Sequence, residues 1–164
     1  PINISKGDDT VDTLMQKLES EIGVKMSCSA LAQVNAFAAL GAQKVCIVHP
    51  FLDDQSPRHS SHMSGFFGLD PTGVYAGGSS LVALGTLPPG RALEWGRAAM
   101  TANPDSDTLY FGCPHWTVID AIQPLEEEFG ISVMTSLQAI AWESMRKTGI
   151  DDRIKGFGRL LSEF

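Results

Sequence analysis

Long apolar runs are missing from this sequence. Nothing in its 164 residues approaches the roughly 18 uninterrupted apolar residues that a membrane helix needs. The first residues, Pro1-Ile2-Asn3-Ile4-Ser5-Lys6-Gly7, carry neither the basic start nor the apolar centre of a signal peptide, and they read as the start of a cytoplasmic protein. Cysteine is scarce too. There are three, Cys28, Cys46 and Cys113, an odd number with no CxxC spacing, which argues against a disulfide framework or a structural zinc site. Positive charge is outnumbered, 12 Lys and Arg against 19 Asp and Glu, for a net charge of −7. With no basic stripe to displace counterions from phosphates, nucleic acid is not an expected partner. The charge serves solubility and does not exclude an acidic substrate, because donors inside a pocket act more strongly than overall charge. No GxGxxG or GxxxxGK[ST] fingerprint is present, nor any internal repeat.

What is present is alternation. Between Asp8 and Glu21, with Ile22 just beyond, apolar residues fall at three- and four-residue spacing, one face of a helix that Gly23 stops. Val24 to Ser27 is a short strand candidate, and Ser29 to Leu40 a second helix ended by Gly41. Lys44 to Val48 reads as a buried strand. Asp53 to Phe67 reads as a helix with Asp53 or Asp54 as N-cap, its start restricted by Pro57. A strand is expected between Gly73 and Gly78, then a connection rich in glycine, proline and serine from Ser79 to Gly90, and a helix over Arg91 to Ala102. Thr108 to Phe111 is a strand; Val118, Ile119, Ile122, Leu125 and Phe129 mark the apolar face of a helix ending at Gly130. Ile131 to Met134 and Ser136 to Thr148 complete a further strand and helix. Strands separated by helices predict α/β architecture with a mostly parallel sheet and ligands at the carboxyl ends of its strands.

One residue carries the chemistry. Cys113 follows a strand in Gly112-Cys113-Pro114-His115-Trp116, and Pro114 suits the first position of a helix. The spacing therefore predicts Cys113 at a helix start, where free N–H groups and the helix dipole would draw its thiol pKa from about 8.5 towards neutrality. Such a thiol both donates and accepts protons. A buried free cysteine with no role is the plainer reading, and Cys46, inside an apolar strand, takes it; so does Cys28 unless it faces the crevice. His59 and His62, three residues apart, lack a third metal ligand and read as solvated surface histidines. His49, at the end of its strand, is expected to look into the crevice beside Cys113. His115 either polarises a substrate or covers the helix start. Glu126-Glu127-Glu128 reads as a solvated face, Trp116 and Trp142 as packing.

Pro104-Asp105-Ser106-Asp107, then Gly112-Cys113, Asp120-Ala121-Ile122 and Pro124-Leu125-Glu126, resemble the second half of the Asp/Glu racemase superfamily, in its arylmalonate decarboxylase and maleate isomerase branch. The tail is similar to that branch through Val133-Met134-Thr135-Ser136-Leu137-Gln138-Ala139, Trp142 and Gly156-Phe157-Gly158-Arg159-Leu160-Leu161. So are Ala38 to Ala42 and the strand running out through His49-Pro50-Phe51-Leu52-Asp53-Asp54. The resemblance covers nearly the whole chain, most weakly between about 55 and 100.

The resemblance implies parallel-sheet α/β lobes, one complete and one partial: residues 1–42 in the first lobe, 43–130 forming the second with Cys113, and 131–164 returning to the first. It implies cofactor-independent isomerase, racemase or decarboxylase chemistry on a small mono- or dicarboxylate, with no metal. Cys113 matches the family's second-half cysteine, a proton donor or nucleophile. Asn3, Ser5, His49, Phe51, Pro114 and His115 are the expected substrate contacts. The family's opening βα units and first catalytic loop would lie upstream of Pro1. Phe51 stands where the branch carries tyrosine, removing a hydroxyl, and Pro114 offers no N–H where relatives have glycine or threonine, a donor that His115 would replace. Two rival functions are open to the same residues: an inactive domain that binds a carboxylate or assembles with a partner, and a thiol hydrolase using His115 or His49 as base. Self-association into a homo-oligomer is compatible with either.

Overall fold

In the computed structural model, residues 10–164 are described, and Asn3 and Ser5 lie outside them. Two N-terminal helices, α1 (Val11–Ile22) and α2 (Ser29–Leu40), precede β1 (Lys44–His49). Thr10 caps α1 by accepting the Thr13 N–H at 3.2 Å. The residues between α1 and α2 form no strand, against the expectation for Val24 to Ser27. The Met26 N–H instead donates to the Glu19 carboxylate at 2.7 Å, which draws the chain into a tight connection.

After β1 the chain takes a 3₁₀ turn (Asp53–Gln55), helix α3 (Ser56–His62) and a π-helical turn (Met63–Phe67), where one continuous helix was expected. No side-chain N-cap forms; Asp53 accepts the Ser56 hydroxyl at 2.8 Å rather than a backbone N–H. Strand β2 (Asp70–Ala76), a 3₁₀ segment (Leu81–Thr86) and α4 (Arg91–Ala102) lead into β3 (Thr108–Phe111). Helix α5 (Ile119–Phe129), β4 (Ser132–Thr135), α6 (Ser136–Lys147) and the short α7 (Arg159–Glu163) complete the chain.

The four strands form one parallel sheet in the order β2-β1-β3-β4. Strand periodicity sends alternate side chains to opposite faces. Cys46, Val48, Leu109, Phe111 and Val133 pack against Trp95, Ala99, Met100, Ile122 and Leu125 of α4 and α5. Val45, Ile47, Tyr110 and Met134 pack on the other face against Ala32, Ala36 and Phe37 of α2, Ala139 of α6 and Leu160 of α7. The result is a helix–sheet–helix sandwich, the α/β class expected. Strand β4 pairs with β3 and completes the sheet. Ile119, expected on the buried face of α5, is 49% exposed, because the helix begins only there and its first turn looks outward.

The glycine-flanked tail has a steric reason. Gly158 sits at φ +85°, and a Cβ there would lie 2.5 Å from Ile122 Cγ2 and 3.1 Å from Glu126 Oε1. Only glycine lets the backbone pass this close to α5. The approach brings the Arg159 N–H to Glu126 Oε2 at 2.8 Å, while Val133 N–H donates to Oε1 at 3.0 Å. Glu126, expected in solvent, is therefore a buried tie between α5, β4 and α7. Its neighbours Glu127 and Glu128 could not show this: all three are acidic, and only the inward turn of the helix separates them.

Candidate active site

Ligands in open parallel sheets bind beyond the carboxyl ends of the strands. Here that edge is formed by the residues just past β1, β3 and β4. Register pairs Val48 with Phe111 and Phe111 with Thr135. One residue further on, His49, Gly112 and Ser136 form a row across the three neighbouring strands, and Gly112 N–H still donates to Val48 O at 2.8 Å. Cys113 comes next.

Cys113 does not sit at a helix start. Helix α5 begins at Ile119 with Val118 at its cap, five residues later, and Pro114, His115 and Trp116 form bends. Pro114 suits a turn as well as a first helical position, so its presence did not decide between them. The thiol is buried, packed with Trp95, Phe111 and Trp116. Burial pushes its pKa up; the His115 N–H, which donates to Sγ at 3.5 Å, offsets this only in part. The expected shift towards neutrality is thus reversed. The sulfur carries its proton in neutral water and has that one hydrogen-bond partner among the described residues.

The histidines are rearranged relative to expectation. His49 is fully buried, and His59 stacks on it at 4.3 Å between ring centroids and 13° between planes. Phe51 lies stacked beyond, 6.0 Å from His49. His59 is half-buried rather than solvated because Gly112 has no side chain: a Cβ there would lie 3.2 Å from the His59 ring. Burial, aided by His49, His62 and Arg58, pushes the His59 pKa down to about 4. Burial also lowers that of His49, against the pull of Asp53, and that of His62. His62 is half-buried as well, its ring stacked on Phe66. Pro114 and His115 are exposed; His115 reaches the site through its backbone N–H, not its ring.

The tautomer of His49 is set by its partners. Ser56 has one hydroxyl hydrogen, and it goes to the acceptor-only carboxylate of Asp53 at 2.8 Å. Ser56 Oγ must then accept from His49 Nε2–H, 3.0 Å away. A neutral ring protonated at Nε2 leaves a bare lone pair on Nδ1, and that atom is buried without a partner among the described residues. Ser136 Oγ and Trp116 Nε1 are likewise buried and have no partner among the described residues. The sequence held a sign of the His59 contact in Gly112, whose missing side chain makes room for the ring, but no spacing rule joins residues 59 and 112.

Cys46 is core, as expected, its pKa pushed up to about 11 chiefly by burial. Trp116 packs against Trp95 and Phe111, and Trp142 is half-buried beside α2. Cys28 lines a separate cleft of about 200 Å³ with Ser27, Ser29 and Glu143. Glu143, unremarked in the sequence, is buried there, accepting from Ser27 Oγ at 2.5 Å and Asn35 Nδ2 at 2.7 Å. Among the described residues no group of three His, Cys, Asp or Glu side chains is arranged to hold a metal ion. No described helix is long and apolar enough to cross a membrane.

Comparison with known proteins places this geometry in a family. The family model described as arylmalonate decarboxylase matches residues 2–161. Arylmalonate decarboxylase of Bordetella bronchiseptica is 27% identical over 143 residues, which cover 86% of this chain and 59% of that protein. The chain thus spans about three fifths of the length of that curated relative. A structure of unliganded arylmalonate decarboxylase superposes with a TM-score of 0.79 at 25% identity, covering 92% of this chain and 66% of the other. Maleate isomerase Iso from Pseudomonas putida S16 shares the fold, with a TM-score of 0.79 at 21% identity over 93% of this chain and 62% of that one. With the family model spanning nearly every residue, the chain belongs to the arylmalonate decarboxylase family.

Proposed function

We propose that this chain is the Cys113-bearing part of a cofactor-independent enzyme that moves a proton at the carbon beside a carboxylate, with Cys113 as the donor. In this reading α2, α6 and α7 cover one face of the Cys113 sheet, and the substrate lies beyond the carboxyl ends of its strands. The observation that carries the proposal is the environment of the thiol. Cys113 stands past the end of β3, one of the two inner strands, and burial pushes its pKa up, so it keeps its proton. A protonated thiol is ready to give a proton to an enediolate. Addition of sulfur to a double bond would need the thiolate, which this setting disfavours. The match to the arylmalonate decarboxylase family model favours decarboxylation over isomerisation.

The step balances without a cofactor. The bond between the α-carbon and one carboxyl carbon breaks and carbon dioxide leaves. Its electron pair forms an enediolate with the remaining carboxylate, and the Cys113 proton passes to carbon. Water then reprotonates the sulfur. The name borne by the Bordetella relative suggests an arylmalonate as substrate.

The test is turnover of phenylmalonate in heavy water. Wild type is expected to release carbon dioxide and to place deuterium on the α-carbon of the product. Cys113→Ala is expected to abolish this while its circular dichroism stays unchanged. Full activity in that variant would remove Cys113 from the reaction. Turnover of maleate but not phenylmalonate would shift the assignment to isomerisation.

A further inference from the structure

Seven residues, Gly112 to Val118, carry the chain from β3 to α5 without helix or strand, and three of their side chains are buried: Cys113, Trp116 and Val118. Pro114 and His115, between the first two, are exposed. Among the described residues, 113–117 make no backbone–backbone hydrogen bond. The turn is closed only by the His115 N–H on Cys113 Sγ at 3.5 Å. A segment with so few backbone ties is held by what its side chains grip.

Trp116 supplies the grip. Its ring lies 5.3 Å from Trp95, tilted by 40°, and 5.7 Å from Phe111, edge-on at 72°. Phe111 ends β3 and Trp95 sits within α4, so one side chain ties the segment to a strand and a helix. Trp95 is itself fixed: Tyr75 lies 6.3 Å away, Arg91 stands over the ring at 5.8 Å, and a Cβ at Gly77 would run into it. Cys113 belongs to the same buried cluster as these three rings. Interiors packed to this density pass displacements on rather than absorbing them. Trp116 Nε1 has no partner among the described residues, so the ring and not its N–H makes the attachment.

We propose that Trp116 is the positioning residue of the Cys113 thiol: its ring, wedged against Trp95 and Phe111, fixes the turn that carries Sγ past the end of β3 and closes the sulfur off from water. This deepens the decarboxylase reading and rests on it for the reaction. No charged group competes with that cover. On β3, Tyr110 gives its hydroxyl to Gln33 at 2.6 Å, and burial pushes its pKa up, so it stays neutral. On β1, Cys46 is held at about 11. On α4, Arg91 is paired with Glu94 at 2.7 Å and lies over Trp95. The α5 residues in the cluster, Ala121, Ile122 and Leu125, do not ionise. His59, at about 4, is neutral beside Gly112, and the His115 ring is exposed.

The experiment measures turnover of phenylmalonate and, on the same proteins, alkylation of Cys113 by iodoacetamide as a function of pH. Alkylation is read on the Cys113 peptide by mass spectrometry, so that Cys28 and Cys46 do not contribute. A reacting group displaced by about 1 Å costs up to about a hundredfold in rate, so Trp116→Ala is expected to lower kcat about ten- to a hundredfold. KM should stay within about twofold, because the thiol acts in the chemical step and not in holding the substrate. The alkylation midpoint is expected to fall towards the ordinary thiol value of about 8.5 as water reaches the sulfur. Trp116→Phe keeps a ring in the seat and is expected to restore both readings. Should Trp116→Ala fail to fold, Trp116→Leu replaces it with the same expectations. A folded variant that melts earlier yet keeps the wild-type kcat and midpoint makes Trp116 plain core and overturns the proposal. So does a Trp116→Phe protein as impaired as Trp116→Ala, which would move the role to the indole N–H. If the wild type turns over no phenylmalonate, the decarboxylase reading falls, and the alkylation midpoint alone decides for or against Trp116.

Discussion

The two ends of the sheet treat polar groups in opposite ways. At the amino end, Asp107 gathers the Gln43 and Lys44 N–H groups at 2.8 to 3.2 Å and the Thr108 hydroxyl at 2.8 Å. Thr72, Ser106 and Asn103 form a closed chain beside it, anchored on Ala99 O at 2.9 Å. Just inside that end Glu126 ties Val133 to Arg159. At the carboxyl end, His49 Nδ1, Ser136 Oγ and Trp116 Nε1 are buried without partners among the described residues, where the Cys113 thiol has one long contact. The side-chain groups named at the amino end are answered within the fold. At the other, three buried polar atoms lack a partner among the described residues.

This contrast can be broken in three places. Glu126→Ala would leave the Val133 and Arg159 N–H groups unanswered in the interior, and is expected to lower stability by about 2–4 kcal/mol in urea denaturation. A loss within experimental error would show that the tie is incidental. The second test uses pH. His59 is held at about 4 against an ordinary 6.5, so between those values the unfolded chain binds more protons than the native one. Stability is therefore expected to fall as pH drops from about 6.5 to about 4. His59 is partly exposed, so solvent screening limits its share to about 1–2 kcal/mol. His49 and His62 act in the same direction. His59→Leu should flatten the curve between pH 7 and 4.5; an unchanged slope would mean the ring titrates freely. The smallest effect is at the ligand end. Ser136→Ala removes a buried hydroxyl that no described residue answers, and stability should stay level or rise by up to about 1 kcal/mol. A marked loss would reveal a partner for that hydroxyl and weaken the contrast directly.

Much of the architecture was legible because it rests on local rules. The helices Ser29–Leu40 and Arg91–Ala102 and the strand Thr108–Phe111 fall where apolar spacing and stop residues put them, since period and capping act within a few residues. The region around Cys113 was misread for the same reason. Pro114 permits both a helix start and a bend, and the choice was made by Trp116 packing on Trp95 and Phe111, residues distant in sequence or on another element. Glu126 and His59 went wrong similarly: each looks solvated among its neighbours, and each is drawn in by a glycine elsewhere, Gly158 and Gly112.

By itself the sequence determined the α/β class and the family pattern, because these depend on residue type and short spacing. The tertiary structure alone decided that Cys113 is buried and protonated, that His49 and His59 stack, and that His49 and Ser136 flank Gly112. Those outcomes depend on which side chains displace water around a group, and that is settled only when distant segments meet.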